Sequence, residues 1–456
     1  MSRLVWLLVL GVLLTACQRH ESPTPHGRFE RVWLGVPSGP VHSVVIWLMP
    51  GRSRTAIDRR LGELLVNKGA LVISVSAPGL LARMAEDGDE CLLPAGDLDN
   101  LARETQAQVG LDRYVPPVLA GRGAGAALAY TALAQAPTGG FAGGLSLDFD
   151  ATLASAVPFC PGRGLRANFD ARQGRSSLQP DAQPVAPWVV SPMSRDPAFV
   201  RRFVNHAPDA VAVVAELPPV SDPLPHLRET LQRADRALRS RLPQQPPITR
   251  LDAGQLPLIE VPAMGANAPV WALLMSGDGG WAGLDRDLSR LLAAQGVAVV
   301  GFDSLRYFWQ PRTPEGLAQD LRRILTRYQT RWPDRAVILI GYSQGANVLP
   351  FAYQRLPAEL QARVARLVLL GPGERAAFAF QVSQWWRKDT GDYDVLPAAR
   401  RLPGERTLCV YGQDEAEESI CPRLAGTLPV MALPGGHHFD GDMAHLARIV
   451  LGAPAY

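Results

Sequence analysis

Short runs of consecutive apolar residues recur along the chain, each bounded by glycine, proline or polar residues. Continuous runs of this kind are typical of parallel strands that are buried on both faces. Between them, stretches such as Pro314 to Tyr328 carry apolar residues at helical spacing and predict crossover helices. This alternation predicts an α/β fold with mostly parallel sheets flanked by helices. The predicted strands are Val44–Leu48, Leu71–Val75, Pro117–Ala120, Trp188–Val190, Val270–Met275, Val297–Phe302, Val337–Ile340, Arg366–Leu370, Thr407–Tyr411 and Pro429–Leu433.

The pattern of strands and helices occurs twice in the chain. The sequence Ile-Trp-Leu-Met-Pro-Gly at 46–51 resembles Ala-Leu-Leu-Met-Ser-Gly at 272–277, and Gly-Arg-Gly-Ala-Gly-Ala at 121–126 resembles Gly-Tyr-Ser-Gln-Gly-Ala at 341–346. We therefore expect two tandem copies of one α/β domain, each of ordinary domain size. The expected limits are 29–241 and 257–456, with a Pro-rich linker at 242–256. Residues 149–187 show little periodicity and are expected to be an irregular excursion.

The amino-terminal residues resemble an export signal. Arg3 precedes an apolar run, Leu4–Leu14, that is too short to span a bilayer, for which about 20 residues are needed. The sequence Leu-Thr-Ala-Cys at 14–17 resembles a bacterial lipobox, so residues 1–17 are expected to be a lipoprotein signal with Cys17 as the lipidated residue. The alternative is an ordinary cleaved signal with an incidental cysteine. Residues 18–28 are polar and are expected to form a tether.

Composition and charge narrow the function classes. The chain of 456 residues has 47% hydrophobic residues, which is typical of globular proteins and excludes disorder. Its 46 basic and 43 acidic residues give no sign of a nucleic-acid partner. One of five cysteines is assigned to lipidation, and an exported chain can oxidise the other four. The expected bridges are Cys91–Cys160 and Cys409–Cys421.

The sequence Gly-Tyr-Ser-Gln-Gly at 341–345 is a Gly-x-Ser-x-Gly motif. An apolar strand precedes it and a helix-compatible stretch follows, as in the nucleophile elbow of α/β hydrolases. In such an elbow Ser343 sits on a sharp turn that exposes its hydroxyl, and the N–H of Gln344 is free to hold an oxyanion. The fold class predicted is therefore a pair of α/β-hydrolase-like domains. The alternative is a structural turn flanked by glycines.

A serine nucleophile needs a base and an acid, which follow it in this fold in the order acid, then histidine. The loop after the last predicted strand carries His437 and His438, of which we prefer His438 because an aromatic residue follows it; His437 is the alternative. The loop after Thr407–Tyr411 carries Asp414 and Glu415, and both remain candidates for the acid. Cys409 and Cys421 flank that acidic loop, and a bridge between them would support it.

The remaining parts of a hydrolase site are predicted less sharply. The Gly-rich loop after Val270–Met275 is expected to supply a second oxyanion donor from Asp278 or Gly279. Gly123 stands where the nucleophile belongs in the first copy, so that copy is expected to be catalytically degenerate. Nothing in the spacing predicts a metal site or a cofactor. The aromatic residues around 281 and 307–309 are either packing residues or an apolar wall for an acyl chain, with Trp281, Tyr307 and Trp309 as candidates.

Four segments together resemble the VirJ/AcvB family of bacterial periplasmic α/β hydrolases: Ser276–Trp281, Ser304–Trp309, Gly341–Pro350 and Gly435–Asp442. The two-copy layout resembles the longer, AcvB-like members. The resemblance implies hydrolysis of the ester that joins an amino acid to phosphatidylglycerol, as in lysyl- or alanyl-phosphatidylglycerol. It also implies a periplasmic enzyme, which the lipid on Cys17 would hold at the inner or outer membrane beside its phospholipid substrate. The sequence identifies no protein partner.

The expected substrate carries a cationic α-amino group, which a nearby carboxylate would bind. Asp278, Asp440 and Asp442 are the candidates, on their positions in the chain alone. Two alternatives to this function remain at the level of the sequence. One is a general carboxylesterase or thioesterase with the same triad, and the other is a non-catalytic accessory protein in virulence or secretion.

Overall fold

A computed structural model describes two regions of the chain, each built around its own sheet. We call residues 24–242 the first unit and residues 256–452 the second unit. The sequence 1–17 with Cys17, most of the tether and most of the linker lie outside the described residues. The residues described are 24–180, 186–191, 197–206, 210–212, 224–242, 256–380 and 391–452.

The first unit contains an eight-stranded sheet among its described residues, in the order β1-β2-β4-β3-β5-β6-β10-β11. The pairs β1–β2 and β2–β4 are antiparallel and the other neighbours are parallel. The strands of the unit are β1 Thr24–His26, β2 Phe29–Gly35, β3 Ser43–Met49, β4 Ala70–Ser76, β5 Val118–Arg122, β6 Gly143–Leu147, β7 Thr152–Ala154, β8 Ala167–Asp170, β9 Arg175–Leu178, β10 Trp188–Ser191 and β11 Ala210–Ala212. Its helices are α1 Ala56–Val66, α2 Ala77–Glu86, α3 Pro94–Gln108, α4 Ala124–Gln135, α5 Pro197–Asn205 and α6 Leu224–Arg239.

The second unit contains a seven-stranded sheet in the order β12-β14-β13-β15-β16-β19-β20 over the residues described. Its first strand is antiparallel to β14, and the rest are parallel. The strands are β12 Leu258–Val261, β13 Val270–Met275, β14 Ala298–Phe302, β15 Ala336–Tyr342, β16 Val364–Leu370, β17 Arg375–Ala376, β18 Tyr393–Asp394, β19 Thr407–Gly412 and β20 Val430–Leu433. The helices are α7 Gly283–Ala294, α8 Ser304–Phe308, α9 Pro314–Arg331, α10 Gln344–Tyr353, α11 Ala358–Ala362, α12 Val395–Ala399 and α13 Met443–Val450.

The α/β fold class predicted from the sequence is confirmed. Every predicted strand is present within a few residues, because each apolar run is buried between two layers of helices. The predicted helix from Pro314 is α9, which begins after the capping side chain of Thr313 and buries the predicted apolar positions. In the part of the chain that is described, no helix is both long and apolar enough to cross a bilayer.

The expectation of an irregular excursion at 149–187 was wrong for part of that segment. Strands β7, β9 and β8 form a three-stranded antiparallel sheet there. These strands are only three or four residues long and partly polar, so they carry little hydrophobic signal. Two buried hydroxyls, those of Ser155 and Ser176, lie 3.0 Å apart between β9 and the residue after β7. The small sheet is thus held partly by polar contacts that a hydrophobicity pattern does not report.

Both expected disulfides are present. Cys91–Cys160 links the segment before α3 to the segment between β7 and β8 in the first unit. Cys409–Cys421 joins the middle of β19 to the short 3₁₀-helix Cys421–Leu424, and both of its cysteines are fully buried. The second bridge therefore closes the base of the loop that carries Asp414 and Glu415.

Candidate active site

Ser343 occupies the turn between β15 and α10, with φ 52° and ψ −116°. This backbone conformation is rare for any residue with a side chain. The flanking glycines are required by close packing, since a Cβ at Gly341 would lie 2.5 Å from the Gly345 carbonyl oxygen and one at Gly345 would lie 2.3 Å from that of Met275. The Ser343 N–H donates to the carbonyl of Leu370 at 2.9 Å. The chain thus holds a half-buried serine at the carboxyl end of a central strand, which is the geometry of a nucleophile elbow.

The acid and the histidine come from the two strands at the edge of the same sheet. Glu415 lies on a 3₁₀-turn directly after β19, and His437 lies on the loop after β20. The carboxylate Oε2 of Glu415 lies 2.8 Å from Nδ1 of His437. The two loops meet at Gly412, where a Cβ would lie 2.2 Å from the Gly436 carbonyl oxygen. Only glycine fits at this contact, so the acid loop and the histidine loop approach each other closely here.

The backbone brings His437 close to the nucleophile. A Cβ at Gly371 would lie 3.0 Å from Cε1 of the His437 ring, so the ring packs directly on the backbone of this residue. Gly371 has φ +57° and follows Leu370, whose carbonyl accepts the N–H of Ser343. The Gly371 N–H in turn donates to the carbonyl of Val410 in β19 at 2.8 Å. The ends of β15, β19 and β20 therefore bring Ser343, Glu415 and His437 to the same edge of the sheet, with the end of β16 between the serine and the histidine.

The structure differs from the sequence-based preference for His438 as the partner of the acid. His438 lies at the surface, and its Nδ1 is 3.0 Å from the hydroxyl of Tyr342 rather than from a carboxylate. Partial burial and the neighbouring His437 lower the pKa of His438, while Glu415 acts in the opposite direction. The Tyr342 hydroxyl also lies 3.2 Å from the carbonyl oxygen of His437 and can donate to it. The geometry thus favours His437 as the base and gives His438 a place beside it.

The two acid candidates are likewise separated by the structure. Asp414 has an exposed side chain, and its backbone N–H donates to the carbonyl of Gly435 at 3.1 Å. Glu415 is the residue whose carboxylate faces the histidine loop. Asp414 therefore helps to join the two loops through its backbone, and the geometry favours Glu415 as the acid.

The candidate oxyanion donors lie on either side of the serine. Gln344 is the first residue of α10, where a helix leaves N–H groups without intrahelical partners. On the other side, the loop Ser276–Gly280 follows β13, and a Cβ at Gly277 would lie 3.2 Å from the Cβ of Ser343. Gly277, which the sequence analysis did not single out, is thus the loop residue in contact with the nucleophile. Asp278 and Gly279 follow it, and both of their carbonyls accept hydrogen bonds from Arg103 of the first unit.

The aromatic candidates for a substrate wall serve mainly as packing residues. Trp281 is buried against Gly301, where a Cβ would lie 2.4 Å from the indole. Tyr307 is buried, and its hydroxyl donates to Asp320 at 2.8 Å. Trp309 donates from Nε1 to the carbonyl of Leu111 in the first unit at 2.6 Å. The packing alternative therefore accounts for Trp281, Tyr307 and Trp309.

The remaining acidic candidates lie at the rim of the site. Asp442 is exposed and caps α13 by accepting the N–H of His445 at 2.9 Å. Asp440 is exposed and has φ 51°. Asp278 is half-buried on the loop beside the serine. The described residues contain no group of three His, Cys, Asp or Glu side chains arranged to hold a metal ion.

The first unit keeps the elbow without the nucleophile. Gly123 has φ 55° and ψ −122°, within a few degrees of Ser343, and its N–H donates to the carbonyl of Leu147 at 3.0 Å. A glycine has no side chain that can attack a substrate, so this elbow has no nucleophile. The segment at 218–220, which occupies the place of the histidine loop in the sequence, lies outside the described residues.

Comparisons with solved structures found similarity at low sequence identity. An α/β serine hydrolase without a lid from Xanthomonas campestris is 17% identical, with a TM-score of 0.30, and the match covers 44% of this chain and 90% of that one. Est1E from Butyrivibrio proteoclasticus is 14% identical, with a TM-score of 0.32, covering 44% of this chain and 94% of that one. The thioesterase domain from the curacin biosynthetic pathway is 17% identical, with a TM-score of 0.29, covering 43% and 94%. No curated protein shows a significant match.

The second unit also matches a protein family. The model of the family described as "Bacterial virulence protein (VirJ)" matches residues 269–454, a range that includes the elbow, the acid loop and the histidine loop. This match agrees with the resemblance drawn from the sequence motifs. Residues 269–454 are thus similar to the VirJ family of bacterial virulence proteins.

Proposed function

We propose that the second unit is a serine hydrolase that cleaves the aminoacyl ester of aminoacyl-phosphatidylglycerol. The observation that carries the hydrolase assignment is the pairing of His437 Nδ1 with Glu415 Oε2 at 2.8 Å, on loops that adjoin the strained elbow of Ser343. A buried structural turn needs no histidine–carboxylate pair at its side. A nucleophilic serine needs both, because its hydroxyl is a weak nucleophile without a positioned base.

The reaction follows from this pairing. With Nδ1–H of His437 donating to Glu415, Nε2 is free to take the proton from Ser343 Oγ as that oxygen attacks the aminoacyl carbonyl. The N–H of Gln344 and the loop at 277–279 stabilise the developing oxyanion. His437 then returns the proton to the glycerol oxygen, which leaves as phosphatidylglycerol. A water molecule that His437 deprotonates hydrolyses the aminoacyl-serine and releases the amino acid.

The substrate class rests on the resemblance to the VirJ/AcvB motifs and on the charge around the site. Burial is the main cause that raises the pKa of the hydroxyl of Tyr342, the residue before the nucleophile, and the charges of Asp285, Asp278 and Glu415 act in the same direction. Asp440 lies exposed on the histidine loop. A site bordered by carboxylates favours a substrate with a cationic α-amino group. Lipidation of Cys17 in the periplasm, at either membrane, would keep the enzyme beside such a lipid.

The experiment compares the wild-type chain with Ser343→Ala on vesicles that contain lysyl- or alanyl-phosphatidylglycerol. Ser240→Ala, an exposed serine at the end of α6, is the matched control. We expect release of the amino acid by the wild type and by Ser240→Ala, and none by Ser343→Ala. Equal aminoacyl-lipid levels with all three proteins would refute the proposed substrate.

Labelling with a fluorophosphonate separates the alternatives. Labelling at Ser343 without turnover of the lipid would indicate a general carboxylesterase or thioesterase. The absence of both labelling and turnover would favour the non-catalytic accessory protein. Membrane fractionation tests the proposed lipid anchor independently of activity. The wild-type protein should be found in the membrane fraction, and Cys17→Ser should be lost from it.

A further inference from the structure

We propose that the first unit completes the active site of the second, with Arg103 as a positioning residue for the oxyanion loop. The proposal rests on the proposed hydrolase function, to which it adds a role for the unit that has no nucleophile. Arg103 lies on α3 of the first unit. It acts through the loop Ser276–Gly280 and not on the substrate itself.

Arg103 crosses from one unit to the other with its guanidinium. Its Nη1 donates to the carbonyl of Asp278 at 3.0 Å and its Nη2 to that of Gly279 at 3.3 Å. The side chain is only 6% exposed. Burying a guanidinium costs free energy unless its charge is paired and its donors are used. Nη1 and Nη2 have partners while Nε has none among the described residues, so the two carbonyls are specific contacts that offset part of this cost.

Neighbours in the first unit fix the orientation of this arginine. Asp99, one helical turn earlier on α3, pairs with Nη2 of Arg103. The hydroxyl of Tyr114 donates to the other oxygen of Asp99 at 2.8 Å, and the Tyr114 ring lies 5.7 Å from the guanidinium carbon. Burial alone would lower the pKa of Arg103, but Asp99, Tyr114 and Asp278 outweigh it and raise the pKa. The guanidinium is therefore a permanent, pre-oriented cation.

The loop that Arg103 holds is the one in contact with the nucleophile. The Gly280 N–H donates to the Gly277 carbonyl at 3.1 Å and closes a tight turn, while Gly277 packs against Ser343. In a trans peptide the C=O and the following N–H point in opposite directions. Because the Asp278 carbonyl is directed at Arg103, the Gly279 N–H points away from Arg103. Among the described residues, no backbone carbonyl accepts the N–H of Asp278 or Gly279. Arg103 thus fixes the peptide planes of a loop that still has N–H groups to offer an oxyanion.

The contact around Arg103 is a packed interface. Tyr114 of the first unit forms a buried cluster with Leu305 and Trp309 of the second. The rings of Tyr114 and Trp309 lie 5.7 Å apart, and Trp309 Nε1 donates to the carbonyl of Leu111 at 2.6 Å. A separate ion pair joins Arg163 to Asp287 at 3.4 Å, with both side chains about one-third exposed. The apolar cluster seats the first unit against α8, so the position of Arg103 is set by packing as well as by charge.

The test compares Arg103→Gln and Arg103→Lys with Arg163→Gln, which removes the ion pair with Asp287 between the units without touching the loop. Turnover of an ester substrate is measured as kcat and KM separately. We expect Arg103→Gln to lower kcat by about tenfold to a hundredfold with little change in KM, as is typical when a catalytic group is slightly misplaced. Arg103→Lys keeps the charge but lacks the two-pronged guanidinium, so its kcat should lie between those of Arg103→Gln and the wild type. Arg163→Gln should equal the wild type.

A second measurement separates positioning from a general loss of structure. Free guanidinium ion should partly restore kcat to Arg103→Ala, whereas a variant whose interface is lost would not respond. A wild-type kcat in folded Arg103→Gln would overturn the proposal, and so would full activity in Arg103→Lys if Arg103→Gln does not fold.

Hydrogen exchange distinguishes failure of this proposal from failure of the hydrolase assignment. Exchange at 276–280 should accelerate in Arg103→Gln and stay unchanged in Arg163→Gln. If the wild type has no Ser343-dependent turnover, the hydrolase assignment and the positioning role of Arg103 fail together. If the wild type is active but exchange at 276–280 is unchanged in Arg103→Gln, only the role of Arg103 is overturned.

Discussion

The two elbows of the chain allow a reciprocal test of backbone strain. Ser343 and Gly123 have almost the same dihedral angles, φ 52°, ψ −116° and φ 55°, ψ −122°. We predict that Ser343→Gly stabilises the second unit and that Gly123→Ser destabilises the first. The reason is that a side chain at these angles is strained and glycine is not.

The magnitude follows from two opposing effects. A non-glycine residue in such a conformation costs about 1–3 kcal/mol, and a glycine adds about 0.4–1 kcal/mol of chain entropy to the unfolded state. The difference between these ranges is a net change in the free energy of unfolding of up to about 2.6 kcal/mol, an increase for Ser343→Gly and a decrease for Gly123→Ser. A Cβ at Gly123 would lie 3.5 Å from the Cβ of Pro50, an ordinary contact, so no steric clash adds to the strain there.

Calorimetry of the full chain measures both effects. For a domain of about 200 residues, each kcal/mol shifts Tm by about 2–4 °C. Ser343→Ala is the control, because it removes the hydroxyl but keeps the Cβ and therefore the strain. If Ser343→Ala raises the Tm as much as Ser343→Gly, or if Ser343→Gly lowers it, then backbone strain is not the cause.

Three further predictions concern the base, the acid and pH. His437→Ala should lower the rate of ester hydrolysis by about a hundredfold to ten-thousandfold, the range for loss of a general base. His438→Ala should keep most of the activity in the same assay, and the opposite order would assign the base to His438. Glu415→Gln should reduce kcat by up to about ten-thousandfold, because the Glu415 carboxylate is the one that contacts the His437 imidazole. Asp414→Asn should have little effect on kcat, and a larger loss in that variant would reverse the assignment of the acid. Because the pKa of His438 is lowered in the folded chain, the unfolded chain binds the extra proton more readily, and stability should be lost as pH falls below about 6.5. Tm measured as a function of pH should therefore fall less at low pH in His438→Gln than in the wild type. Parallel curves for the two proteins would contradict this prediction.

The sheet and the elbow were predictable because each has a local signal. Continuous apolar runs mark strands buried on both faces, and Gly341 and Gly345 mark the close contacts of the elbow. Strand β6 was missed because its sequence, Gly-Gly-Leu-Ser-Leu, has little strand propensity. Its glycines serve packing, since a Cβ at Gly144 would lie 2.9 Å from side-chain atoms of Leu133 and Trp188.

The choice between adjacent histidines could not be made from the sequence. It depends on a loop in which Phe439 and Asp440 both have positive φ, and on the contact of Gly412 with the carbonyl of Gly436. These features of the backbone turn His437 toward the acid and leave His438 at the surface. No pattern of residue types encodes which of two neighbours faces inward when the turn itself is irregular.

The first unit shows that a strained elbow alone is not evidence of catalysis. Gly123 has the dihedral angles of Ser343 and the same hydrogen bond from its N–H to the strand next to it, so the elbow is a property of the strand–helix junction. What distinguishes the second unit is the group of side chains at the ends of its strands: a hydroxyl, an imidazole and a carboxylate within one sheet. The first unit has no hydroxyl at its elbow, yet it places Arg103 against the loop beside Ser343. Loss of the nucleophile in one copy is therefore compatible with a role for its interface, since a residue of the first unit contacts the loop beside Ser343.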